Sequence, residues 1–153
     1  MSAAPVERTT AGHLATWGPV ALWCAGIVAL SHVPFSRSER VFEGDDKAFH
    51  LLEYGVLGFL MARALGGPRL AHGGWRTAIG AALLATLFGA LDEFHQGFVP
   101  NREPEWMDLL ADALGGAAGA GVLALAAGFA GPPTSEAHPG PIGPTSGPPD
   151  PSA

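Results

Sequence analysis

His50, Glu93 and Arg102 are the residues of this sequence best suited to catalysis. An imidazole and a carboxylate can exchange protons near neutral pH, and a guanidinium can stabilise developing negative charge. They stand in two polar clusters within a chain that otherwise avoids charge. The first is Asp45-Asp46-Lys47-Ala48-Phe49-His50-Leu51-Leu52-Glu53-Tyr54. The second opens with Asp92-Glu93-Phe94-His95-Gln96 and continues through Pro100 and Arg102 to Asp108 and Asp112. Carboxylates outnumber the bases Lys47 and Arg102, and His50 and His95 add titratable groups. Such a surplus points to acid–base chemistry, a cation site or proton handling. The plainer alternative is an ion-pair network that locks helices together. No nucleophile motif or cofactor fingerprint accompanies the clusters, so the cofactor is left open. A tight metal spacing such as H-E-x-x-H is also missing, so no metal is assigned. An ion held by His50, His95 and carboxylates is the weaker alternative.

The elements that must position these residues are apolar. The chain has 153 residues, enough for one domain, of which 48% are hydrophobic and 14% charged. A soluble domain carries nearer a quarter charged residues. Four apolar segments are expected as membrane helices: Leu14–Val33, Ala48–Leu65, Trp75–Leu91 and Met107–Ala130. Each is roughly 17–24 residues, the length that crosses a bilayer core. Pro34, the Gly66-Gly67-Pro68 and Gly73-Gly74 breaks, and Pro100 and Pro104 separate them. The reading is an all-α, polytopic four-helix membrane bundle with four transmembrane helices. A soluble bundle would need a charged outer face on every helix, and the first and third segments lack one. A cleaved signal peptide is the alternative for the first segment, with Arg8 before it. The apolar run is longer than a usual signal-peptide core. Pro19 is expected in the first turns of that helix, where a missing N–H matters least.

Residues 1–13 read as a flexible N-terminal segment, 14–130 as the transmembrane domain, and 131–153 as a disordered Pro/Gly-rich tail. The net charge of -6 and the lack of a basic patch exclude nucleic acid as a partner. The lone cysteine, Cys24, falls in the first apolar run and reads as a small core residue.

Four spans place both termini on one side of the membrane and both polar clusters on the other. Arg8, Arg63, Arg69 and Arg76 flank the terminal side, and Arg37, Arg40, Lys47 and Arg102 the cluster side. Lys47 and Arg102 stand among carboxylates that neutralise them, so the remaining excess favours cytoplasmic termini and an extracytoplasmic cluster face. Helical spacing aligns Lys47, His50 and Tyr54 in one row, and Asp46, His50 and Glu53 in another. Asp92, His95 and Gln96 share a face, with Glu93 beside it. Asp108, Asp112, Gly115 and Gly119 form a stripe, acidic above and glycine below. The glycines read as a close packing seam and Asp108 as a possible helix cap.

Three stretches resemble the VanZ-like family of small membrane proteins. The first is Asp46-Lys47-Ala48-Phe49-His50-Leu51-Leu52-Glu53-Tyr54-Gly55-Val56-Leu57-Gly58. The second is Asp92-Glu93-Phe94-His95-Gln96-Gly97-Phe98-Val99-Pro100-Asn101-Arg102. The third runs from Asp108 through Asp112, where the family often has Asn, to Gly115 and Gly119. The resemblance covers roughly residues 14–130. It implies a four-helix membrane domain and a link to the cell envelope or glycopeptide tolerance. The expected binding set is Asp46, Lys47, His50, Tyr54, Asp92, Glu93, Gln96, Arg102, Asp108 and Asp112. Its expected partner, besides the lipid bilayer of the cell membrane, is a polar head group or a lipid-linked or cell-wall precursor. Arg102 and Lys47 would hold its phosphate or carboxylate. A membrane-embedded enzyme using His50 or Glu93 as base is the second expectation. A proton or cation path through Glu53, His50 and Asp112 is the third, weakened because the lower halves of spans three and four carry no carboxylates.

Overall fold

The structure, a computed structural model, describes residues 10–32, 45–66, 74–100 and 104–129. It contains four helices: α1 (Thr10–Ser31), α2 (Asp45–Gly66), α3 (Gly74–Gln96) and α4 (Trp106–Phe129), with no strand among the described residues. All four are long and apolar enough to cross a membrane. At about 1.5 Å per residue each reaches past a ~30 Å hydrocarbon core.

The helices extend beyond the apolar runs because the backbone ladder continues through the polar ends. Asp46 stands in the first turn of α2, where a carboxylate favours the positive end of the helix dipole. Asp92 to Gln96 form the last turn of α3. At the other end of the chain, α1 begins at Thr10, inside the segment expected to be flexible. Pro19 consequently lies in the helix interior rather than in its first turns, and removes the N–H that would bond the Ala15 carbonyl. The expected tail at 131–153 lies outside the described residues, as do residues 1–9.

Helices α2, α3 and α4 pack on one another, while α1 lies against α2 and touches α3 only lightly. Much of the core of the trio is small side chains, packed around the fully buried Tyr54 and Leu57: Ala62, Ala81, Ala85 and Ala120 are each 1% exposed or less. Large apolar side chains point outward instead, among them Leu22, Leu83, Leu87, Leu114 and Leu125. Small and polar inside with large and apolar outside suits a lipid solvent, where helices associate through close backbone approach.

The closest approach is between α2 and α4. A Cβ added at Gly58 would overlap the Gly116 carbonyl, one at Gly115 the Leu51 carbonyl, and one at Gly119 the Gly55 carbonyl. Three clashes with backbone oxygens leave no side chain free to yield. The Gly115–Gly119 stripe is therefore packed against α2. On α1, Val20, Ile27 and Ser31 are buried, with Cys24 half-buried against the core. Their spacing is one helical stripe. Trp23 Nε1 donates to the Glu53 backbone carbonyl at 2.9 Å and ties this helix to α2.

Candidate functional site

The up-and-down order brings the end of α1, the start of α2, the end of α3 and the start of α4 to one end of the bundle. His50, Glu93 and Asp112 meet there from α2, α3 and α4. His50 Nδ1 lies 2.9 Å from Asp112 Oδ1. One donor atom from each of the three residues lies within 4.8 Å of the others. Asp112 is fully buried and Glu93 is 7% exposed. A Cβ on Gly89 would stand 2.6 Å from Asp112 Oδ2, so the bare backbone of α3 makes the niche for this carboxylate.

Each carboxylate uses one oxygen and leaves the other without a hydrogen-bond partner among the described residues. Glu93 Oε2 accepts from the Glu105 backbone N–H at 3.0 Å, just before α4 begins, while Glu93 Oε1 and Asp112 Oδ2 are buried and unpartnered. Tyr54, one turn deeper on α2, is fully buried, and its hydroxyl also has no partner. Its ring lies parallel to that of His50, with centroids 6.4 Å apart, and meets Phe88 on its other neighbour, α3. Three buried polar atoms at this junction, Tyr54 Oη, Glu93 Oε1 and Asp112 Oδ2, thus have no hydrogen-bond partner among the described residues.

A second carboxylate cluster lies beside the first and contains its own cation. Lys47 Nζ is 3.1 Å from Asp108 Oδ1, 3.1 Å from Glu105 Oε2 and 3.4 Å from Asp46 Oδ2. Lys47, Asp46 and Glu105 are partly exposed at this end of the bundle, whereas Asp108 is buried. Asp108 sits in the first turn of α4, yet its carboxylate serves Lys47. With three anionic neighbours, the ammonium is committed to carboxylates and is poorly placed to attract a further anion.

Asp92 and Gln96 face the other way, towards α1. Ser31 Oγ lies 2.9 and 2.8 Å from the two Asp92 oxygens, and Gln96 Nε2 donates to Oδ2 at 2.9 Å. All three residues are buried. They form a polar clasp that fastens the end of α1 to α3. Next to it, His32 Nδ1 donates to the Val28 carbonyl at 2.7 Å, and His32 Nε2 lies 3.2 Å from His95 Nε2. His95 is therefore engaged with His32 rather than with His50.

Of the expected set, Lys47, His50, Tyr54, Glu93, Asp108, Asp112 and Asp46 gather around the junction of α2, α3 and α4. Asp92 and Gln96 belong to the α1 clasp. Arg102 lies outside the described residues. Two residues were not anticipated. Glu105 extends the stripe of Asp108 and Asp112 upward by three positions, a spacing visible in the sequence. Ser31 ends the buried stripe of α1, but a single serine at a helix end carries no comparable signal.

No curated protein and no solved structure matches this chain significantly. The family model described as VanZ/LLP1 matches residues 16–127. That range takes in all four apolar helices from Thr16 onward and every motif that builds the junction. The chain is thus a four-helix membrane protein of the VanZ/LLP1 family.

Proposed function

We propose that the junction of α2, α3 and α4 receives the polar head group of a membrane lipid or lipid-linked envelope precursor. The observation that carries this reading is the convergence of His50, Glu93 and Asp112 from three helices, with buried unpartnered oxygens, inside a bundle whose outer surface is apolar. A substrate whose tail lies in the bilayer would reach such a site laterally, with its polar part at the level of these side chains. Arg102 keeps its sequence-based role of holding an anionic group. The site faces the extracytoplasmic side of the cell membrane, as the arginine distribution favours. A cell-wall precursor at this position would connect the protein to glycopeptide tolerance.

The contact between His50 and Asp112 favours a further step, modification of that head group. A carboxylate fixes the orientation of its imidazole, which is then ready to take or give a proton on its other nitrogen. Glu93, beside it, is the second proton-exchanging group. The test uses purified protein in vesicles with lipid-linked pyrophosphate or phospholipid substrates. Turnover that falls by about 100-fold or more in Glu93→Gln and His50→Ala supports the reading. Turnover unchanged in both variants removes the acid–base roles. Failure of every lipid probe to bind or react removes the head-group reading.

A further inference from the structure

We infer that His50, Glu93 and Asp112 form a binding site for one divalent transition-metal cation of the Mn²⁺ or Zn²⁺ class. The three residues offer one imidazole nitrogen and two carboxylate oxygens, all mutually within 4.8 Å. Donors that share an ion about 2.1 Å away stand about 3–4 Å apart, so small side-chain rotations close the triangle. The mixed nitrogen and oxygen set suits Mn²⁺ or Zn²⁺ better than Mg²⁺ or Ca²⁺, which prefer oxygen alone.

A group of acids alone would not carry this inference. The second observation is that Glu93 Oε1 and Asp112 Oδ2 are buried without a hydrogen-bond partner among the described residues. Their residues are 7% and 0% exposed. An anionic oxygen in that position needs a donor or a cation. The neighbouring cluster shows the contrast. Asp46, Glu105 and Asp108 surround an ammonium, Lys47 Nζ, and Asp46 and Glu105 are also more exposed. The buried triangle has no lysine or arginine among the described residues. In the deprotonated form that metal ligands must take, two carboxylates and an imidazole carry a charge of minus two, which one divalent cation cancels. Two further features fit. Asp112 is seated against the bare backbone of Gly89. Tyr54, one turn along α2 from His50, adds a buried hydroxyl with no hydrogen-bond partner among the described residues.

The site stands independently of the head-group reading. In that reading, and resting on it, the cation supplies positive charge for a phosphate where Lys47 is already committed.

The experiment is Mn²⁺ titration of full-length protein in lipid nanodiscs, purified without a histidine tag and stripped with chelator. Bound Mn²⁺ is followed by electron paramagnetic resonance. One ion per chain is expected, with pulsed spectra showing modulation from one imidazole nitrogen. Glu93→Gln and Asp112→Asn are each expected to weaken binding about tenfold or more, with helical content and elution unchanged. Should either variant fail to fold, a chain in which His13, His32, His72, His95 and His138 are all alanine decides. Retained binding and nitrogen modulation assign the ion to His50, and their loss overturns the site. Absence of stoichiometric binding by the wild type, or binding indifferent to folded Glu93→Gln and Asp112→Asn, also overturns it. No lipid substrate enters the measurement, so its failure is distinct from failure of the head-group reading.

Discussion

His50 Nδ1 stands 2.9 Å from Asp112 Oδ1 and joins α2 to α4 within the buried end of the bundle. Asp112 is fully buried and the His50 side chain is 12% exposed. Removing one partner of a buried pair leaves the other polar group without compensation. Asp112→Leu is therefore expected to destabilise the protein by about 3 kcal/mol. Asp112→Asn keeps an oxygen facing Nδ1 and is expected to cost about 1 kcal/mol. Detergent-induced unfolding followed by circular dichroism separates the two. Equal losses for Leu and Asn would show that the oxygen facing His50 contributes nothing.

The α2–α4 seam offers a steric test. Gly119→Ala drives a methyl into the Gly55 carbonyl, and Gly115→Ala drives one into the Leu51 carbonyl. Each is expected to cost about 1–3 kcal/mol, because backbone must move. Gly121, on the same helix, has open space where its Cβ would be. Gly121→Ala is expected to be neutral or to stabilise by about 0.5–1 kcal/mol through helix propensity. Thermal unfolding of the three variants checks the order. A tolerated Gly119→Ala would contradict the packing of α4 on α2.

The seam was legible in the sequence because only its period was needed. Asp108, Asp112, Gly115 and Gly119 repeat at helical spacing, and polar groups in lipid must face inward. The same argument brought His50 to the junction. The division of labour at the end of α3 was not legible. Asp92 and Glu93 are adjacent in sequence and point about 100° apart on the helix. Asp92 meets Ser31 of α1, whereas Glu93 meets Glu105 at the start of α4. Which neighbour occupies each direction depends on how the helices are arranged around α3, and no residue period records that. The commitment of Lys47 to three carboxylates escaped for the same reason, since Glu105 reaches it from the far side of the α3–α4 connection.

Lys47 provides a charge-balance prediction. Lys47→Met leaves Asp46, Glu105 and Asp108 facing one another without their ammonium. The groups are partly hydrated, so the expected cost is about 1 kcal/mol. Adding Asp108→Asn to Lys47→Met removes part of the repulsion and is expected to recover stability, although Asp108→Asn alone destabilises. A double-mutant cycle on the unfolding midpoint measures the coupling. Additive effects would mean that the contact between Lys47 and Asp108 is energetically empty.

Ser31 governs the attachment of α1. This helix packs lightly on α3, and the bond from Ser31 to Asp92 is a buried polar link between them, beside the His32–His95 contact. Ser31→Val keeps the volume and removes the hydroxyl, leaving Gln96 as the partner of Asp92 among the described residues. Loss of one partner of a buried charged group costs about 1–3 kcal/mol. Because α2, α3 and α4 hold one another without α1, the effect is expected to be local. Hydrogen exchange should rise along α1 and stay unchanged in α2 and α4. A uniform rise across all helices would show instead that α1 is integral to the cooperative unit.

The membrane orientation yields a two-site labelling prediction. Thr10 opens α1 at one end of the bundle, and Phe98, which is 72% exposed, follows α3 at the other. In a Cys24→Ser background, Phe98→Cys should react with an impermeant maleimide on intact cells. Thr10→Cys should react only after lysis. The inverse pattern would place the His50–Asp112 end in the cytoplasm and limit its ligands to those of the inner leaflet. Equal accessibility of both sites in intact cells would contradict the crossing of the membrane by α1 and α3, because the two positions would then share one side. The outcome expected here, Phe98 outside and Thr10 inside, puts His50, Glu93 and Asp112 where an envelope precursor exposed on the outer leaflet can reach them.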